Sequence, residues 1–230
     1  CVLFEVPHFD VGLVARTDEL LADGFSHASV GYSHLGKRSL ILDSSEIAGR
    51  KRPLPDPLDF GYWEQFTDRE ILVDFAWALR GRIAPSSWSA RRFDRVYSLG
   101  FSDSAYSVNE ILKGKRSEGL FDLSFPLTDY RRLTAAERLE GRGRVMVLNS
   151  EADSSPVDGD PGSSPDYRYY DAVGGPHIPD VPGTTPITWS FYLRALFEAG
   201  HLWVTRGVEP PPSLHLRLRR DGQIARDAMG

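Results

Sequence analysis

The 230-residue sequence holds a single cysteine, Cys1, so it can form no internal disulfide and no zinc site built on paired cysteines. No stretch approaches the roughly 18 consecutive apolar residues of a membrane-crossing helix. Positive charge is not in surplus. Lys and Arg number 27 against 32 Asp and Glu, a formal charge of −5, which is the wrong balance for a protein that binds nucleic-acid phosphates. The pairs Arg91-Arg92 and Arg131-Arg132 and the stretch Arg217 to Arg220 are short and scattered and read as solvated faces. The histidines are dispersed, with no His-Glu-x-x-His string, so no metal site is expected. Neither a Walker A string nor Gly-x-Gly-x-x-Gly occurs, so no nucleotide cofactor is expected either.

What remains has the composition of an ordinary globular chain, 41% hydrophobic and 26% charged, long enough for one domain over 1–230. Cys1 leads directly into the apolar run Val2 to Val6, which reads as a core strand ended by Pro7. That placement favours a chain beginning partway through a larger fold over a lipid-anchored or nucleophilic N-terminal cysteine. Val11 to Asp23 reads as a helix stopped by Gly24, and Phe25 to Tyr32 as a strand. Residues 36–61 read as a long loop. Thr67 and Glu70 have capping-box form ahead of a helix whose apolar face is Ile71, Phe75, Ala78 and Leu79.

Arg95 to Leu99 is the next strand, and a helix with Ala105, Val108, Ile111 and Leu112 at helical spacing follows it closely. Leu120 to Leu127, Arg144 to Leu148 and Tyr167 to Val173 are further strands. A last helix opens at Thr185-Pro186, buries Trp189, Leu193, Leu196 and Phe197, and ends by Gly207. Leu214, Leu216 and Leu218 alternate in the tail. Strands alternating with helices predict an α/β fold, mainly a parallel sheet with helices on both faces.

The chemistry concentrates where strand passes to helix through Gly100-Phe101-Ser102-Asp103-Ser104. A nucleophile elbow needs small residues about a strained backbone turn that lifts a hydroxyl above the sheet edge. Ser102 is then the nucleophile, and the Asp103 backbone N–H, at a helix N-terminus, is an oxyanion donor. Ser104 stands where the usual pattern has Gly. The competing reading makes Ser102 an ordinary helix-capping serine.

An acid and a histidine follow in the chain order that such sites use. Ser150-Glu151-Ala152-Asp153 follows a strand and offers Asp153 first, with Glu151 as its rival. His177 follows the last main strand after Gly174-Gly175-Pro176. A serine hydroxyl needs a base during attack, an imidazole suits that task near neutrality, and a carboxylate orients the imidazole. The second oxyanion donor is expected after the first strand. Pro7 has no N–H, which leaves His8 or Phe9. His8 and His34 are also candidates to line the site. Trp63, Trp77, Trp88, Trp189 and Trp203 read as core or pocket wall.

The chain resembles α/β-hydrolase-domain proteins with a Gly-x-Ser-x-Ser-Ala elbow. The resemblance rests on Phe4-Glu5-Val6, Gly100 to Ala105, Val147 to Asp153, Tyr167 to His177, Trp203 to Gly207 with Pro210-Pro211, and Asp221 to Ala228. It implies an α/β-hydrolase fold and esterase-like chemistry without a cofactor, on a small-molecule ester. It also implies further strands ahead of Cys1 and further chain after the end, so that this sequence is a segment of a longer protein. The same three residues would serve an amidase, a peptidase or an acyltransferase. A non-catalytic binding protein on the same fold is the alternative from another class. Residues 36–61 and 154–166 are the expected specificity loops.

Overall fold

The computed structural model describes residues 1–6, 24–29, 70, 72–81, 93–128, 143–153, 164–177, 189–217, 219 and 224–226, with only the backbone of Ser29 and Asp103. The expected helix at 11–23, the loop at 36–61, the Thr67 cap, the Thr185-Pro186 helix start, Trp63, Trp88 and His34 lie outside the described residues.

Six strands form one sheet: β1 (Val2–Val6), β2 (Ser26–Ser29), β3 (Val96–Phe101), β4 (Leu123–Leu127), β5 (Arg144–Ser150) and β6 (Tyr167–Ala172). Their order is β2-β1-β3-β4-β5-β6, and every pairing is parallel. The described helices are α1 (residues 72–79), α2 (Asp103–Lys113) and α3 (Trp189–Arg206). No described helix is long and apolar enough to cross a membrane.

Alternation along the strands assigns the two faces. Val2, Phe4 and Val6 of β1 join Val145 and Val147 of β5 in a core with Leu72, Val108 and Ile111. The residues between them, Leu3, Met146 and Leu148, join Leu99, Phe125, Trp189 and Trp203 in a second core. Thus α1 and α2 cover one face and α3 the other. Such strands, buried on both sides, read as near-continuous apolar runs. Truncating a buried aromatic such as Phe125 or Trp203 to alanine typically costs about 3–5 kcal/mol.

Several boundaries differ from the sequence reading. The third strand continues through Gly100 and Phe101, because both still pair in register with Pro126 and Leu127. The fourth starts only at Leu123; Leu120 and Phe121 ahead of it are buried without belonging to the ladder. On α1 the buried stripe is Leu72, Val73, Ala76 and Leu79, a shift from the expected face. Phe75 sits half-buried at its flank with its ring 5.4 Å from that of Phe4. The expected faces of α2 and α3 are found, with Phe197 only partly buried.

A polar contact ties α3 to the sheet. Tyr97 of β3 places its hydroxyl 2.9 Å from His201 Nδ1, and the Phe25 ring lies 5.2 Å from the imidazole. Burial pushes the Tyr97 phenol up to about 12, so it stays protonated beside the imidazole. Burial, with the N-terminal ammonium and Arg206 adding positive charge nearby, lowers the His201 pKa below its ordinary 6.5. A histidine with a depressed folded-state pKa binds fewer protons folded than unfolded, so stability rises with pH across that window. Acidification from about pH 7 to about pH 5 is therefore expected to destabilise the protein in urea unfolding. The His201→Gln variant should show a shallower dependence over the same range. An identical pH profile in the variant would mean that His201 contributes nothing to it.

Candidate active site

Parallel strands deliver their carboxyl ends to one edge of the sheet. The strand order reverses between β1 and β3, where open α/β sheets leave a crevice for ligands. Val6, the last residue of β1, pairs with Gly100 of β3, and Ser102 follows directly after β3.

The turn at Ser102 is strained. Its φ is 54° and ψ −117°, a region that non-glycine residues rarely occupy. Several hydrogen bonds hold it there. The Ser102 N–H donates to the Leu127 carbonyl at 2.9 Å and to Thr128 Oγ1 at 3.2 Å, and the Ser102 carbonyl accepts the first helical bond from Tyr106 N at 3.2 Å. Thr128 itself has φ 50° and is fully buried. Nothing in the sequence singled it out.

Ser102 heads α2, yet its side chain makes no capping hydrogen bond. The reading of Ser102 as a capping serine is therefore corrected: the hydroxyl is not engaged with the helix N–H groups. Ser104 makes the local side-chain bonds instead. Its Oγ accepts from Phe101 N at 2.7 Å and donates to the Phe101 carbonyl at 2.9 Å. Glycine at this place would leave both unmade. Gly100 has no such freedom, because a Cβ there would lie 2.4 Å from the Ser104 carbonyl oxygen and 2.7 Å from Ala105 N. Both are backbone atoms and cannot swing aside.

Asp153 and His177 come together from the ends of neighbouring strands. The register Ser150 with Ala172 brings the two exits level. His177 Nδ1 is 2.8 Å from Asp153 Oδ2 and 3.0 Å from Oδ1. A carboxylate only accepts, so Nδ1 carries the proton of this bond, and Nε2 is the ring nitrogen turned away from Asp153. Ser150 Oγ donates to Asp153 Oδ2 at 2.5 Å and accepts from Asp153 N at 3.0 Å, which fixes the carboxylate. The His177 ring reaches towards the elbow, 5.5 Å from the ring of Phe101, the residue before Ser102.

Glu151 leaves the same turn but does not meet the imidazole. Its carboxylate binds Gly174 N and Arg226. Asp103 begins α2, so its backbone N–H lies at the helix N-terminus beside Ser102. His8 and Phe9 lie outside the described residues. The other described histidines are engaged elsewhere: His27 Nε2 is 2.8 Å from Glu5 Oε2, and His215 stacks on Tyr169. Trp189 and Trp203 are core, and Trp77, on α1, packs partly buried against the core under that helix. Among the described residues, no group of His, Cys, Asp and Glu could hold a metal.

Two contacts that the sequence did not signal fasten the histidine loop to α3. Trp189 Nε1 donates to the Pro176 carbonyl at 3.1 Å, and Tyr192 Oη to the Val173 carbonyl at 2.8 Å. An apolar cavity of about 610 Å³ lies against α3, lined by Leu148, Tyr170, Phe191, Leu196 and Leu214 among others. Its lining includes none of Ser102, Asp153 and His177.

No protein-family model matches the chain, and no curated protein sequence matches it. Solved structures do. A ferulic acid esterase from Streptomyces cinnamoneus superposes with a TM-score of 0.54 at 16% identity, over 91% of this chain and 68% of that one. Identity this low shows a common fold. The chain therefore has an α/β fold, a six-stranded all-parallel sheet with helices, matching an esterase of α/β-hydrolase architecture.

The close backbone contacts at Gly100 make a sharp prediction. Gly100→Ala should destabilise the protein by about 1–3 kcal/mol in urea unfolding, as overpacking does. An alanine variant as stable as the wild type would show that α2 can move away from β3 at little cost.

Proposed function

We propose that this protein is a serine hydrolase that cleaves a carboxylic ester through an acyl-enzyme on Ser102. The observation that carries the reading is an uncapped serine held at φ 54° at a strand-to-helix turn. A histidine with its Nδ1 on Asp153 stands at the same sheet edge. Ser102 Oγ attacks the ester carbonyl while its proton passes to His177 Nε2. The tetrahedral intermediate collapses, breaking the carbon–oxygen bond of the ester, and the imidazolium protonates the departing alcohol. Water then attacks the acyl group with His177 again as base, which releases the acid and restores Ser102.

Asp153 holds the ring and stabilises its protonated form during both steps. The Asp103 backbone N–H, where the dipole of α2 favours negative charge, serves the oxyanion, with His8 or Phe9 as second donor. No cofactor takes part. An ester is preferred to an amide as substrate because the structurally similar protein is an esterase by name.

Intact-mass measurement after treatment with a fluorophosphonate tests this directly. One adduct is expected on the wild type and none on Ser102→Ala. With a p-nitrophenyl ester as substrate, Ser102→Ala and His177→Ala should lower kcat by on the order of 10⁶. Asp153→Asn should lower it by about 10⁴. Adduct formation or undiminished hydrolysis in Ser102→Ala would remove Ser102 from the mechanism.

A further inference from the structure

The turn after β5 carries a second carboxylate whose contacts point to a task of its own. Glu151 Oε2 accepts the Gly174 N–H at 2.7 Å, and the Glu151 backbone N–H donates to the Gly175 carbonyl at 3.1 Å. Its other oxygen is ion-paired with Arg226. The carboxylate is largely buried, its side chain 16% exposed. One residue thus joins the acid turn to the histidine loop at two points, immediately before His177.

That loop needs fixing. Gly174 has φ 71°, and Gly175 follows it, so the chain leaving β6 passes through its two least restricted residues before reaching Pro176 and His177. The Asp153–His177 bond lies at the far end of this stretch and holds the ring. It does not by itself set where the loop backbone runs. Glu151 does so at the near end, through the bond that its side-chain oxygen accepts from the Gly174 backbone N–H. Trp189 and Tyr192 restrain the loop from the side of α3. Glu151 restrains it from the side of the acid.

We propose that Glu151 is a positioning residue, whose carboxylate pins the Gly174–Gly175 backbone to the Asp153 turn and so sets the reach of His177 towards Ser102. The proposal rests on the reading of Ser102, His177 and Asp153 as the catalytic groups. It assigns the rival carboxylate a role that needs an acceptor oxygen rather than a negative charge.

The test compares Glu151→Ala with Glu151→Gln in the full chain, each shown to be folded by a cooperative thermal transition. The glutamine oxygen still accepts the Gly174 N–H, whereas alanine cannot. In Glu151→Ala, kcat on a p-nitrophenyl ester is expected to fall about 10–100-fold, the scale of a misplaced catalytic group, with KM unchanged. The rate of labelling by a fluorophosphonate should fall in parallel. Glu151→Gln should recover most of both.

Proton NMR supplies a readout that needs no turnover. The hydrogen-bonded His177 Nδ1 proton should be visible in the wild type and in Glu151→Gln, and broadened or lost in Glu151→Ala. Glu151→Met keeps the side chain's length, removes its acceptor and replaces the alanine variant if that one does not fold. Wild-type labelling rate and an intact Nδ1 resonance in the variant without an acceptor would overturn the proposal. Equal losses in the glutamine and alanine variants would overturn it as well, since charge and not the bond would then matter. A resonance lost in Glu151→Ala, in a protein whose wild type never labels, would keep the positioning role and bring down the hydrolase reading.

Discussion

The backbone at Ser102 sets the terms for everything around it. A non-glycine residue at φ 54° and ψ −117° costs on the order of 1–3 kcal/mol. Each hydrogen bond that holds the turn contributes about 0.5–1.5 kcal/mol net. The bonds from Ser102 N to Leu127, from Tyr106 N to Ser102, and the pair between Ser104 and Phe101 are together enough to offset that cost. The strain therefore persists only while β4 stays paired beneath the turn and α2 stays close above it. Gly100 is what allows the second condition, and the β3–β4 ladder running out to Leu127 supplies the first.

Sheet topology then brings the other residues within range. A parallel sheet sends every strand exit to the same edge, so an acid after β5 and a histidine after β6 are neighbours whatever their separation in sequence. The elbow after β3 is two strands away from the exit of β5. The histidine loop covers that span, as the contact between the Phe101 and His177 rings records. The parts of the site are thus of two kinds. Ser102 and Asp153 sit directly on strand exits, while His177 depends on a loop that has to be held from several sides.

This division explains what could be read from the sequence. Buried parallel strands leave near-continuous apolar runs, so β1, β3, β5 and β6 were legible to within a few residues, as was the apolar face of α2. The strand-to-helix turn at Ser102 was legible because it demands small residues two places to either side, Gly100 and Ser104. The role of Ser104 was not. A serine in the place of a glycine looks like tolerance, and only its two bonds to Phe101 reveal a fastening. Asp153 was the first choice, and it is the one that meets His177, but Glu151 stayed a rival in the sequence because both follow a strand within one turn. Which of them faces the histidine depends on how the turn is twisted against the next strand's exit. The face of α1 was misplaced because Phe75, the largest apolar residue in it, lies at the flank of the stripe rather than at its centre. Leu214 of the tail bridges β6 through its backbone and leaves its side chain 64% exposed.

A fold shared at 16% identity does not separate an enzyme from a binding protein built on the same sheet. Local energetics bear on that choice. A domain that only bound a ligand would be more stable with glycine at position 102, where a positive φ carries no steric penalty. It would lose no cap by the exchange, because the Ser102 hydroxyl makes no capping bond. Keeping serine there makes sense for a protein that uses the hydroxyl. The same reasoning applies to His177, which is tethered to Asp153 through Nδ1, as the proposed base would need to be. Strain at a serine and a histidine tethered at the same sheet edge are costs that the proposed chemistry would explain and that packing does not require.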